Sequence, residues 1–525
     1  MLRKQTIKIS ELLYLLFFCL LLTAKGIGLY DGQTVFKIFL VAALAAWFSK
    51  MCMTLYTFRE LCWVIGLVAL GGIVYLVSGE KGILFCVMVV TGLKNVSQKR
   101  LIRVALYCWS LSFGAMFLIH ALHLVDGPFK VHDKYGMGMV IRWGMGYSHP
   151  NVLHISYFTL VVLIVLADQS RFNWKKALGL MFGNILVFLY SLSNTGLLVV
   201  TAYLILNLYW AYREKLNKFE KALIQLVFPV FLIYSLVAPW VLQGKAFEVV
   251  DRITNTRFRL ARKFLTMQPP TLLGTRLEKI ITFDQTMDNS YVFAFVTYGV
   301  VIFAVIIGAY MILIHRECKE QKGKEICVVL SSLFAGLAEP FLFNTSFKNI
   351  SLIFMDNLLF KEDGRREYGF TDLAEKEIAV PVFPEKGNAK KKLKKEWAAI
   401  CLVAAFGVVI GAAVYQTVKI DPERVIVPRK ECDIEGERES VWLTPEEVAQ
   451  NAQNHQDRVI GYVDQETEMV IYSGNIVRLE HFRELIAAAL TAGSAAGALA
   501  YVFVGIQYKR KKEYGREVKK NFDYK

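Results

Sequence analysis

The densest chemistry in this sequence is a run of guanidinium groups. Between Asp251 and Lys263 lie five bases, Arg252, Arg257, Arg259, Arg262 and Lys263, against the single acid Asp251. The planar arginine fork pairs with two oxygens of a phosphate or carboxylate, which the lysine point charge does not do. Four arginines and one lysine therefore suit a phosphate or diphosphate site. The bland alternative is a loop anchored to acidic lipid headgroups. On one continuous helix Arg252, Arg259 and Lys263 would share a face, with Arg257 across from them.

Three further groups accompany this loop. Arg142-Trp143-Gly144-Met145-Gly146-Tyr147-Ser148-His149-Pro150-Asn151 leads into an apolar run, and Pro150 suits the first helical turn. His149 and Asn151 then stand at a helix mouth, where His149 can bind substrate, move a proton, or simply start the helix. Asp288-Asn289-Ser290-Tyr291 precedes another apolar run, and Asp and Asn are good caps. Glu339, in Gly336-Leu337-Ala338-Glu339-Pro340, is a carboxylate inside apolar sequence, either a base or an arginine's partner. Asn344, Lys348 and Asn349 mark the turn after it. The candidates for proton transfer are His149, Asp288 and Glu339. Those for substrate binding are Arg142, Asn151, Arg252, Arg257, Arg259, Arg262, Asn289, Tyr291 and Lys348. No metal and no cofactor is expected. The nine cysteines contain no C-x-x-C, and His120, His123, His132 and His154 lack the i,i+4 spacing of a helical metal pair.

The elements that position these groups are apolar spans. Hydrophobic residues form 55% of the 525, which excludes an ordinary soluble domain. About 14 spans are expected, near 12–23, 33–49, 60–78, 82–93, 101–121, 150–167, 176–191, 195–211, 222–242, 289–314, 326–345, 347–360, 397–416 and 485–507. Thr23-Ala24-Lys25-Gly26 is a poor cleavage site, so the first run is expected to stay as a span. With the N-terminus inside, the loops 94–103, 171–176, 213–221, 315–324 and 361–395 are all inner and basic, as is the tail from Lys509. Both termini are then cytoplasmic, and the net charge of +16 reflects topology rather than nucleic-acid binding. Three outer segments remain: Leu122–His149, Gln243–Asp288 and Thr417–Glu484. The last is acidic, with 15 Asp and Glu against 8 Lys and Arg. It holds a helix start at Thr444-Pro445-Glu446-Glu447 and an alternating strand pattern at Glu468–Tyr472.

The expected fold is an all-α polytopic membrane protein with two long outer loops in its core. The expected division is a core at 1–360, a cytoplasmic basic linker at 361–396, and a two-span hairpin at 397–525 carrying a small outer α+β insertion at 417–484. The small residues Gly493, Ala495, Ala496, Gly497 and Ala498 offer a face for docking on the core or on another subunit.

Gly146-Tyr147-Ser148-His149-Pro150-Asn151 resembles the G-F-x-H-P-N motif of bacterial O-antigen polymerase and ligase-like membrane proteins, especially the Gram-positive polysaccharide polymerases. The order of parts over residues 1–360 is similar too: a serine-rich turn, an arginine before the L-x-G of Leu272-Leu273-Gly274, then D-N-S-Y, then a glutamate span. One departure is Ser193-Asn194-Thr195 where that family often has S-R-T, so an arginine contact to carrier phosphate is missing. The resemblance implies a metal-independent plasma-membrane glycosyltransferase. It would polymerise or ligate units from a polyprenyl-diphosphate-linked oligosaccharide donor onto a glycan or other cell-surface acceptor. Membrane lipids and other polysaccharide-assembly proteins are the remaining expected partners; no nucleic acid is. The alternatives are a flippase or transporter of lipid-linked oligosaccharide, against which the missing internal repeat counts, and a non-catalytic chain-length or assembly protein.

Overall fold

The structure is a computed structural model. It describes residues 3–122, 124–125, 127–133, 139–213, 215–276, 287–360, 367–369, 377–382, 394–417, 424–428, 432–434, 459–464, 468–472 and 474–522. The expected helix start at 444–447 lies outside these residues.

Apolar runs become helices because a lipid phase offers the backbone no other hydrogen-bond partners. Among the described residues ten helices are long and apolar enough to cross a membrane, from Ile9–Gly26 to Arg478–Val504, and Gly82–Thr91 is a shorter one. This is compatible with a multi-pass membrane protein. Side chains such as Ile38, Val41, Leu76 and Leu111 point outward, each more than 60% exposed, which is where lipid would contact them. Of these ten helices, the most buried is Pro150–Ala167, at 72%. The His149-Pro150-Asn151 motif therefore starts a largely buried helix.

Three expected spans fold differently from continuous membrane helices. The 289–314 run begins as the single turn Ser290–Phe293, passes through a π turn at Ala294–Tyr298, and breaks at Gly299 before the helix Val300–Glu320. The 326–345 run is helical only over Gly323–Ala335, and its last residues form an irregular turn around Glu339 and Pro340. The 347–360 run is a 3-10 turn, Ile350–Phe354, followed by the short helix Asp356–Leu359. Every residue from Ile350 to Phe354 is buried, so its apolar character faces protein.

The chain packs as two units. One comprises Thr6–Met116 and Gly146–Val380, the other Met1–Gln5, Phe117–Met145 and Pro381–Lys525. The second unit thus takes in the strands Phe129–Asp133 and Met139–Trp143 from the first outer segment. Phe129–Asp133 pairs antiparallel with Met139–Trp143 on one edge and parallel with Cys432–Ile434 on the other. The Trp143 indole donates to Glu480 Oε2 at 2.9 Å, and buried Arg483 donates to the Ile141 carbonyl at 3.0 Å. Glu468–Tyr472 is a strand, flanked antiparallel by Arg424–Pro428 and Val459–Asp464. The helices Lys394–Gln416 and Gly474–Phe522 meet through small residues. A Cβ on Gly407 would lie 2.7 Å from the Ala492 carbonyl oxygen, and one on Gly493 would lie 2.4 Å from Val408 Cγ2. Gly493 therefore faces the helix's own hairpin partner rather than a surface left for another subunit.

In the first unit, part of the linker returns to the core. Tyr56-Thr57 pairs with Glu367-Tyr368, and Lys94 bridges Glu60 at 2.5 Å and Glu367 at 2.7 Å.

Candidate functional site

The arginine loop is not one helix. It folds as Gly244–Ile253 and Arg257–Met267, separated by Asn255 and Thr256 with φ of 52° and 64°. Two consecutive left-handed residues turn the chain, so the shared face expected for Arg252, Arg259 and Lys263 does not form. Buried Asp251 fixes the turn. Its Oδ1 accepts the Arg259 backbone N–H at 2.8 Å, and its Oδ2 pairs with Arg259 Nε at 3.1 Å. A carboxylate at a helix N-terminus is favourably placed against the positive end of the helix dipole.

The break separates the basic side chains into different roles. Arg252 and Arg259 are exposed. Arg262 donates to the carbonyls of Pro239 and Leu242 and lies 3.8 Å over the Phe247 ring, so it locks the loop onto the preceding helix. Arg257, only 19% exposed, points the other way: its Nε lies 3.3 Å from Asp288 Oδ2 and its Nη2 3.6 Å from Glu339 Oε1. Three motif residues more than 80 positions apart at their extremes thus converge on one guanidinium.

Two backbone devices hold this group in place. Asn289 caps Ser290–Phe293, its Oδ1 accepting from the N–H groups of Tyr291 at 2.9 Å and Val292 at 3.1 Å. Its amide donates to Ser235 Oγ and the Leu337 carbonyl, while Ser290 Oγ donates to the Glu339 carbonyl at 2.6 Å. Tyr291, fully buried, donates to the Leu333 carbonyl at 2.6 Å. The D-N-S-Y stretch is therefore clamped onto the Glu339 turn, with Asn289 and Tyr291 engaging the protein's own backbone. The second device is the L-x-G segment. Gly274 has φ of 92°, and a Cβ there would lie 2.0 Å from the Thr297 carbonyl oxygen. Only glycine admits this approach, which seats Leu272 and Gly274 against the break at Gly299.

Lys348 stands near the same turn. It follows Phe347, whose φ of 57° is left-handed and whose ring packs against Phe17 and Phe85. Its Nζ donates to the Val152 carbonyl at 3.2 Å and lies 5.4 Å from the centre of the Tyr147 ring. Burial pushes its ammonium down to about 7, with Lys25 adding to the effect and Glu339 opposing it.

The H-P-N motif forms a second patch. His149 is the cap of Pro150–Ala167, its Nδ1 accepting the Asn151 N–H at 3.0 Å, which leaves the proton on Nε2. Asn151 is half-buried in the first turn. One turn on, His154 joins this helix to the serine turn: Nδ1 is 3.0 Å from Ser191 Oγ and Nε2 2.7 Å from Asn184 Oδ1. A Cβ on Gly196 would lie 2.2 Å from the His154 ring, so the serine turn is shaped to the histidine. Sequence reasoning noticed His154 only as one of several neighbouring histidines; its spacing from Asn184 and Ser191 carries no periodic signal. Arg142 is buried in the strand Met139–Trp143, in the other unit.

Among the described residues no three His, Cys, Asp or Glu side chains converge as a metal site would require. The chemistry available at Arg257 is anion recognition coupled to proton acceptance, because a guanidinium has five N–H donors and two carboxylates stand against it. Comparisons with protein-family models, with curated proteins and with solved structures find no match to this chain.

Proposed function

We propose that this chain is an extracytoplasmic glycosyltransferase that polymerises or ligates oligosaccharide units from polyprenyl-diphosphate-linked donors in cell-surface polysaccharide assembly. The observation that carries this reading is the placement of Arg257 between Asp288 and Glu339. In the reaction an acceptor hydroxyl oxygen bonds to the anomeric carbon, and the bond from that carbon to the diphosphate oxygen breaks with its electron pair. Arg257 stabilises the charge that develops on the departing diphosphate. The hydroxyl proton passes to a carboxylate, Asp288 or Glu339, or to His149. An arriving diphosphate competes with the carboxylates for the guanidinium, and a carboxylate that loses its arginine becomes a stronger base. Base strength is thereby tied to donor binding. Arg252, exposed on the loop, supplies further positive charge for donor capture; Arg259, whose Nε is paired with Asp251, offers its remaining exposed N–H donors; and His149 with Asn151 positions a saccharide or phosphate.

The test is transfer of a labelled sugar in proteoliposomes from a purified polyprenyl-diphosphate-linked donor to a glycan acceptor. Product formation by the wild type, with loss in Arg257→Ala, supports the reading. Movement of the intact donor across the bilayer without any new glycosidic bond would replace it with the transporter alternative.

A further inference from the structure

The first unit contains a cavity of about 2000 Å³ between the helices Phe58–Ser78, Gly82–Thr91 and Val300–Glu320. Small-molecule sites occupy roughly 300–1,000 Å³, so this space suits a larger ligand. Its lining includes an apolar set, Trp63 and Leu67 from Phe58–Ser78, Val87 from Gly82–Thr91, and Val305 and Ile312 from Val300–Glu320. Trp63 is 52% and Ile312 59% exposed, so the cavity is bordered by outward-facing apolar surface.

Its polar end is different in kind. Arg59, Lys94, Arg316 and Lys319 line it, together with Glu60, Glu320, Asp356 and Glu367. Cations and carboxylates are equal in number, so net charge alone selects no ligand. Their pairing does. Lys94 is held by Glu60 and Glu367, and Arg316 by Glu320 at 2.7 Å. Arg59 and Lys319 are exposed and, like the lining carboxylate Asp356, are in no ion pair among the described residues, which leaves two cations against one acid. On the expected topology this end faces the cytoplasm, opposite to the proposed transfer site.

We propose that this cavity is a binding site for a glycerophospholipid, with the acyl chains along the apolar lining and the phosphodiester on Arg59 and Lys319. An amphiphile with one anionic phosphodiester matches both halves: a long apolar body, and a headgroup acceptor for two cations that otherwise lack one. The site is independent of the glycosyl-transfer reading.

Gly308 supplies the test, because it lines the cavity and a Cβ added there meets nothing within 4 Å. Gly308→Phe projects a ring into the cavity from a position where the added Cβ itself meets no atom, and Gly308→Leu is a milder second variant. The full chain is purified from membranes in mild detergent and exchanged extensively. Lipid retained per chain is then measured by mass spectrometry, followed by rebinding of dioleoyl phosphatidylglycerol or the phosphate-free dioleoylglycerol. The wild type is expected to retain phospholipid and to rebind phosphatidylglycerol in preference to dioleoylglycerol. Gly308→Phe is expected to lose this retention. Arg59→Gln with Lys319→Gln is expected to weaken rebinding by roughly tenfold or more, the worth of a charge-assisted contact. Undiminished retention in both Gly308 variants would mean the lipid is only peripheral and overturn the proposal. Equal rebinding of dioleoylglycerol, or co-purification of a polyprenyl phosphate in place of phospholipid, would overturn it as well.

Discussion

Arg257→Lys tests the proposed site most directly. The arginine meets two carboxylates through two different nitrogens, Nε at 3.3 Å and Nη2 at 3.6 Å. A lysine carries the same charge on one nitrogen, so it can hold at most one of these contacts in place. Unit charges at the shorter distance attract by roughly 5 kcal/mol at an effective dielectric of about 20, before desolvation is subtracted. The net worth of one charged hydrogen bond is about 1.5–3 kcal/mol. The fold is therefore expected to survive, with a modest fall in melting temperature. Transfer should suffer more. Removing one donor aimed at developing negative charge costs about 10²–10³ in kcat, and losing the fork removes such a donor. The assay is single-turnover transfer of labelled sugar in proteoliposomes, with monodispersity checked by size exclusion. Wild-type turnover in a folded Arg257→Lys protein would remove Arg257 from the diphosphate site and the reasoning with it.

Transfer is expected to persist after EDTA treatment, since arginine carries the charge role; abolition with recovery on adding a divalent ion would refute this. Deletion from residue 390 onward is expected to leave bond formation intact and to change product length, because Arg257, Asp288 and Glu339 all lie in the other unit. The same deletion removes the partners of Trp143 and of the Ile141 carbonyl, so a red shift of indole emission should accompany it; a folded but inactive truncation would place the tail in the active site. Lys348→Met is expected to flatten the dependence of stability on pH. Between about 7 and 10.5 the unfolded chain holds a proton that folded Lys348 does not, so wild-type stability rises with pH across that window, and the destabilisation is complete below it. Melting curves with the same alkaline slope in both proteins would contradict the burial of that ammonium.

Where the sequence was explicit, the cause was local. Proline is favoured in the first turn of a helix, and the helix begins at Pro150. Asn289 caps as its type prefers, and the alternation of Glu468–Tyr472 is that of a strand. The failures have non-local causes. Asn255 and Thr256 carry no glycine to announce a left-handed turn; the turn is held by the Asp251 carboxylate on Arg259. The 347–360 run is as apolar as a span, and composition cannot separate burial in protein from burial in lipid. Arg262 counted as one more cation for a ligand, while its donors reach main-chain oxygens just upstream. Glu339 reads from the sequence as a base or an arginine's partner, but nothing in the spacing of Arg257, Asp288 and Glu339 singles out which arginine it meets.

The pairing of residues 129–131 with 432–434 also sets a schedule for synthesis. Met139–Trp143 follows Phe129–Asp133 at once, so that hairpin can close as soon as it emerges. Its other edge must wait for a strand about 300 residues downstream. At the usual elongation of about 5–20 residues per second, the wait is roughly 15–60 s. An open strand edge is a template for mispairing with any other extended chain. Newly made molecules therefore pass through a vulnerable interval on every round of translation, and slowing the ribosome between these two strands lengthens it in proportion.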